Sequence, residues 1–105
     1  MYKFNNKTVI ITGGGTGIGY TIAESFLKSG ANVVIVGRRK TILDKAIASI
    51  KSVHSNLSSN IIAIKCDASK ETEVNDMFDK VVKCFSNIDI LINSCGTWLI
   101  KPISE

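Results

Sequence analysis

Four short apolar runs rich in β-branched residues alternate along this chain with three longer stretches of helical periodicity, and that alternation leaves few folds open. The runs are Thr8 to Ile11, Asn32 to Val36, Ile61 to Lys65 and Ile88 to Asn93. Between the first two, from Ile18 to Ser29, Ile18, Ile22, Ala23, Phe26 and Leu27 keep to one helical face, and Gly30 stands where a C-cap glycine belongs. A second stripe, from Lys40 to about Ser55, carries Ile42, Leu43, Ala46, Ile47, Ile50 and Val53, and a polar surface loop is expected from Ser55 to Asn60. Ser69 reads as the N-cap of a third helix with Glu71 and Glu73 in its first turn, followed by the stripe Val74, Met77, Phe78, Val81, Val82 and Phe85. Strands this apolar need cover on both faces, which predicts an α/β fold: a doubly wound parallel sheet in the order 3-2-1-4 with helices on both faces and right-handed crossovers. The stripes are then core. The fourth strand becomes an outer edge whose unpaired N–H and C=O groups invite self-association, with Asp89 the one charge to discourage it.

The first strand runs into Thr12-Gly13-Gly14-Gly15-Thr16-Gly17-Ile18-Gly19, so five of the eight glycines fall within seven residues. A strand turning sharply into a helix leaves the first helical N–H groups unpaired, backed by the positive end of the helix dipole. Glycines there allow positive φ and let a pyrophosphate approach the backbone. A plain tight turn is the competing reading of the cluster alone. Arg38 and Arg39 are the informative cations. They follow the second strand, about twenty residues after the turn, where a unit preferring NAD places an acid to accept from the ribose hydroxyl. Here that place holds Gly37, and a guanidinium beside it suits a 2′-phosphate, favouring NADP over NAD. A pair of surface arginines opening a helix is the alternative.

Composition narrows the rest. At 105 residues and 45% hydrophobic content the chain makes one domain, without an internal repeat or a low-complexity tract. No apolar stretch is long enough for a membrane span and no signal-peptide core precedes the first strand, so a cytoplasmic location is expected. The net charge of +4 is dispersed over helix exteriors, which argues against nucleic acid as a partner. Cys66, Cys84 and Cys95 lack metal-ligand spacing and read as reduced thiols; His54, the only histidine, reads as a solvated surface residue, and no metal site is expected.

The motifs together resemble the short-chain dehydrogenases/reductases. Thr12 to Gly19 looks like that family's T-G-x-x-x-G-x-G turn, Val36-Gly37-Arg38-Arg39 is similar to the strand end of its NADP-preferring members, and Cys66-Asp67-Ala68 matches its Asp-hydrophobe pair. Ile90-Leu91-Ile92-Asn93-Ser94-Cys95-Gly96 resembles its N-N-A-G segment, with Ser94 and Cys95 replacing the second asparagine and the alanine. The resemblance implies a Rossmann-type fold over residues 1–105 and a nicotinamide dinucleotide, NADP, held by Gly13, Thr16, Gly17, Ile18, Gly19, Arg38, Arg39, Asp67, Ala68, Asn93 and Gly96, with Asp67 and Ala68 bordering adenine and the Asn93 segment against the ribose. The stretch from Asn93 to Pro102, with Trp98 and Leu99, resembles the enoyl- and dienoyl-CoA reductases of the family.

The family's acid, a tyrosine with a lysine four residues later, has no counterpart here: Asn6 follows Tyr2 at that spacing and Glu24 follows Tyr20. These residues are therefore expected to be a cofactor-binding half without its catalytic half, inactive alone, in which a small-molecule substrate has a place only once the protein is complete. A non-catalytic nucleotide-binding fragment or decayed gene product is the rival. A methyltransferase also uses a glycine-rich turn, but it wants an acid where Gly37-Arg38-Arg39 stands.

Overall fold

The computed structural model describes residues 4–13, 15, 17–94 and 99–102, the last four by their backbone. Its elements are β1 (Thr8–Thr12), α1 (Gly17–Lys28), β2 (Asn32–Gly37), α2 (Lys40–Val53), β3 (Ile61–Lys65), α3 (Glu71–Phe85), β4 (Ile90–Asn93) and β5 (Leu99–Pro102). The polar stretch Ser55–Asn60, expected as a loop, is a short 3-10 helix between α2 and β3. The sheet runs β3-β2-β1-β4-β5, with β1 to β4 mutually parallel and in the expected order.

Alternation along the strands divides the core in two. Val9, Ile11, Val33, Ile35, Ile61 and Ile92 face α1 and α2, packing with Ala23, Leu27, Leu43, Ala46 and Ile50. Ile10, Val34, Val36, Ile64 and Cys66 face α3, meeting Met77 and Val81, with Phe78 and Phe85 partly buried beside them. Successive crossovers thus lie on one face from β1 to β3 and on the other from β3 to β4, which places a crevice at the carboxyl ends of the strands where the order reverses. Among the largest fully buried side chains only Leu27, Ile50 and Val81 come from helices. At about 1.5–3 kcal/mol for each buried Val or Ile, the strand residues dominate the apolar contribution.

Three stripe residues are not core. Ile18 is 58% exposed and Val82 48%, because each lies one residue, about 100° of rotation, from a buried line formed by Gly19, Ala23 and Leu27 in α1 or by Met77 and Val81 in α3. Val53, exposed as well, is the last residue of α2, beyond its last buried contact at Ile50. Gly30 does cap α1: at φ +92° it donates to Leu27 O, and Ala31 donates to Phe26 O, the two reverse bonds of a Schellman end.

His54 is not a solvated residue. Its side chain is only 16% exposed, and its Nε2 lies 2.9 Å from Glu24 Oε2, joining the end of α2 to α1. Ile88 and Asp89 precede β4 as its entry, not as strand: the Thr8 amide donates to Asp89 Oδ2 at 2.9 Å, the Asp89 amide donates to Thr8 O, and the Asn87 side-chain amide also reaches the Asp89 carboxylate.

The expectation of an open fourth strand is overturned. β5 pairs antiparallel with β4 from Ile90↔Pro102 to Asn93↔Leu99, so the backbone groups of β4 meet β1 on one side and β5 on the other. Pro102, which has no N–H to donate, falls at the strand end. Self-association through a free β4 edge loses its structural premise.

Candidate functional site: a cleft at the carboxyl ends of the strands

The glycine turn leaves β1 with Gly13 at φ +72°, its N–H donating to Val36 O at 2.8 Å, and Gly17 opens α1 at φ +56°. Gly19 is the tightest position. A Cβ on it would lie 2.1 Å from Gly13 O and 2.7 Å from Ser94 Oγ, so only glycine lets α1 approach the turn this closely. Gly15 serves a different contact, since its Cβ would stand 2.9 Å from Ile42 Cγ2 in the first turn of α2. Neither α1 nor α2 carries an acid in its first turn, whereas α3 carries Glu71 and Glu73. The two helices that start beside the turn keep their positive ends uncompensated, as an anion site requires.

β4 holds the turn from behind. Thr12 Oγ1 donates to Asn93 Oδ1 at 3.1 Å and to Ile92 O at 3.4 Å, while Ser94 donates to Thr12 O from both its hydroxyl, at 2.6 Å, and its amide, at 3.2 Å. Ser94, which replaces the family-like second asparagine, thus ties β4 to β1 directly against Gly19.

A cleft of about 520 Å³ opens between the turn, the end of β2 and the segment after β3. Of the residues expected in a nucleotide site it brings together Gly13, Arg38, Arg39, Asp67 and Ala68. Gly17, Ile18, Gly19 and Asn93 stand outside its lining, the first three in the opening turn of α1 and Asn93 on β4 beneath Thr12; Thr16 and Gly96, with Gly14, Cys95 and Trp98, lie outside the described residues. Ile42 and Leu43 form an apolar wall that the sequence reading assigned wholly to the core. Their one sequence signal is adjacency to Arg38 and Arg39 at the mouth of α2.

The floor after β3 also departs from expectation. Ser69 does not cap α3. The N-cap is Lys70, without a side-chain cap bond, and Ser69 instead donates to Asp67 Oδ1 from its amide at 3.0 Å and its hydroxyl at 2.7 Å. Glu73 reaches back from the first turn to accept the Asp67 amide at 2.8 Å. The aspartate wins Ser69 because a charged acceptor makes the stronger hydrogen bond. Those two bonds, with smaller help from Lys70 and Arg38, hold the Asp67 carboxyl below the usual carboxylate range. Burial, with the Glu73 and Asp67 charges behind it, pushes the Cys66 thiol up, so at neutral pH this cleft residue is a neutral wall.

Among the described residues no group of His, Cys, Asp and Glu is placed to hold a metal, and no helix is long and apolar enough to cross a membrane. The arrangement suits an elongated anion with an apolar ring system: backbone and helix ends at one end, an apolar wall in the middle and arginines at the rim.

Comparison with known proteins agrees. The family model for short chain dehydrogenases matches residues 7–105. The peroxisomal 2,4-dienoyl-CoA reductase of Arabidopsis thaliana is 35% identical over 90 residues, 86% of this chain and 29% of that protein. Among solved structures, a short-chain dehydrogenase/reductase from Brucella melitensis superposes with a TM-score of 0.78 at 35% identity, covering 93% of this chain and 39% of that one. The NADP-bound C-domain of a bacterial malonyl-CoA reductase gives 0.82 at 30% identity, covering 90% of this chain and 15% of that one. The chain spans less than half the length of each of these relatives. The glycine turn, the sheet order behind it and the match over nearly every residue lead to one assignment: the chain belongs to the short-chain dehydrogenase family.

Proposed function

We propose that the cleft is the site of a nicotinamide dinucleotide, NADP rather than NAD, and that residues 1–105 are the cofactor-binding unit of an oxidoreductase exchanging hydride with a carbonyl, hydroxyl or enoyl substrate. The observation that carries the choice of NADP is the end of β2. Gly37 stands where an acid would accept from the ribose hydroxyl, and exposed Arg38 and Arg39 follow it on the cleft lining. The close packing of α1 on the turn that Gly19 allows, together with the uncompensated start of α1, fits the demand of a pyrophosphate for backbone N–H groups. The bound NADP of the malonyl-CoA reductase domain supports the same reading.

In this reading the turn from Gly13 to Gly19 and the start of α1 bind the pyrophosphate, Ile42 and Leu43 cover the adenine, and Asp67 and Ala68 border its edge. Arg38 and Arg39 pair with the 2′-phosphate. Thr12, Asn93 and Ser94 hold β1 and β4 in register beneath the cofactor. When bound, the nicotinamide supplies the hydride chemistry. The tyrosine and lysine that the family uses for the proton are not among these 105 residues. A reducing, cytoplasmic setting fits the free thiols of Cys66 and Cys84.

Titration of the purified protein with NADPH and NADH tests the assignment. A charge-assisted pair contributes about 1.5–3 kcal/mol, so NADPH should bind at least roughly tenfold more tightly, and Arg38→Asp should erase or reverse the difference. Equal affinities in the unmutated protein would overturn the NADP assignment.

A further inference from the structure

Beside the main cleft lies a side pocket of about 210 Å³, and every residue lining it is charged: Arg38, Lys65, Asp67, Lys70 and Glu73. It shares Arg38 and Asp67 with the main cleft, so the two spaces adjoin at these residues. The fold assembles it from three places. Lys65 ends β3 directly opposite Gly37 in register, the Cys66 amide donates to Gly37 O at 2.8 Å, and the chain then brings Lys70 to the start of α3.

Arg38 alone does not make this pocket an anion site. Its single positive charge faces the carboxylates of Asp67 and Glu73, a balance of −1 that would repel a phosphate. Lys65 and Lys70 reverse the sign to +1. Both acids are moreover already engaged. Asp67 accepts from Ser69, and Glu73 accepts the Asp67 amide while its other oxygen lies 3.8 Å from Lys70 Nζ. Among the described residues neither Arg38 nor Lys65 forms an ion pair. The pocket therefore combines carboxylates fixed on backbone groups with cations still able to turn toward a ligand.

We infer that Lys65 and Lys70 are specificity-determining residues of this site: with Arg38 they make the side pocket a seat for a phosphate monoester, the 2′-phosphate of the dinucleotide in the adjoining cleft. The inference rests on the NADP reading and extends it from the end of β2 to β3 and α3. A 2′-phosphate is the monoester that a nucleotide in the main cleft would carry on the ribose nearest Arg38. The side pocket is too charged to take an apolar group, and the lysines select for the phosphate by charge without touching the rest of the cofactor.

The test is calorimetric titration of the purified protein with 2′,5′-ADP and with 5′-AMP, which differ only in that phosphate. Lys65→Ala and Lys70→Ala should each weaken 2′,5′-ADP about threefold, and the pair about tenfold, since both side chains are exposed and screened. Affinity for 5′-AMP and the thermal melt should stay unchanged, showing that fold and cleft are intact. Lys65→Arg should retain most of the preference, and the salt dependence of 2′,5′-ADP binding should become shallower in the double variant. A double variant that keeps the full ratio of the two affinities would overturn the role of the lysines and leave Arg38 and the NADP reading standing. An unmutated protein that binds both ligands equally would overturn both.

Discussion

The two ends of the cleft are built from different materials. At the turn the structure uses backbone: Gly13 at positive φ, Gly19 with no room for a Cβ, and the Thr12 and Ser94 bonds that hold β1 against β4. At the far rim it uses exposed side chains, Arg38, Arg39, Lys65 and Lys70, on a floor arranged by Asp67, Ser69 and Glu73. A backbone cradle is read out as shape, and at Gly19 an added atom must displace main chain. A charged rim is read out as sign and number of charges, in water, where each contribution is screened. The first end decides whether a dinucleotide can bind, and the second which one.

The largest expected effect tests the backbone end. Gly19→Ala puts a Cβ 2.1 Å from Gly13 O and should cost about 1–3 kcal/mol by overpacking, lowering the melting temperature by roughly ten degrees. Nucleotide affinity should fall with it, for 5′-AMP and 2′,5′-ADP alike. Gly17→Ala is the graded control: nothing lies within 4 Å of its Cβ and only its φ of +56° resists, so about 1 kcal/mol is expected. A Gly19→Ala protein that melts like the unmutated one would show that the turn yields and that the contrast between the ends is false.

Arg38→Asp draws the opposite pattern at the rim. It should change the ratio of NADPH to NADH affinity while leaving the melt within about 0.5 kcal/mol, as substitutions at exposed sites do. Thr12→Val is smaller and belongs to the backbone end. Losing the hydroxyl that donates to Asn93 Oδ1 and Ile92 O should cost about 1 kcal/mol in the melt and weaken both nucleotides equally. A selective loss of 2′,5′-ADP binding in Thr12→Val would mean that the ends are coupled through β1 and β2.

That same contrast explains what could be read without the structure. Strand order, three helices, the Gly30 cap and the special glycines follow from periodicity and positive-φ chemistry, both local properties of the chain. The rim was legible only as Arg38 and Arg39. Lys65 looks like an ordinary polar strand end, and its meaning depends on sitting across from Gly37 through a parallel pairing that spans 28 residues. Ser69 reads as a helix cap because Ser before Glu71 is a good one; the stronger acceptor two residues upstream takes it instead. His54 has a partner 30 residues away, and β5 pairs back onto β4 where the sequence pattern predicts the outer edge of the sheet. For Lys65 and His54 the deciding partner is distant in sequence, and a single residue carries no trace of it; for Ser69 it is a near neighbour whose charge outcompetes the helix end.

The smallest effect concerns the Asp67 floor, and it separates hydrogen bonding from charge at the rim. Ser69 donates twice to this carboxylate, and both bonds favour the ionised form; Lys70 and then Arg38 add less, so the folded value lies below the ordinary aspartate one. A depressed folded value means that the Asp67–Ser69 turn contributes in full above the unfolded carboxyl range and loses its contribution as pH falls through the lower, folded value. The Ser69 amide resonance, followed by NMR down an acid titration, should therefore shift at a pH below that of a free aspartate. Ser69→Ala removes the hydroxyl bond and should move the Asp67 midpoint up, read from the carboxyl carbon, while Lys70→Ala should move it up by less. Were Lys70→Ala to move the midpoint more than Ser69→Ala, charge and not hydrogen bonding would set the floor, and the distinction between a fixed floor and a mobile set of cations would have to be withdrawn.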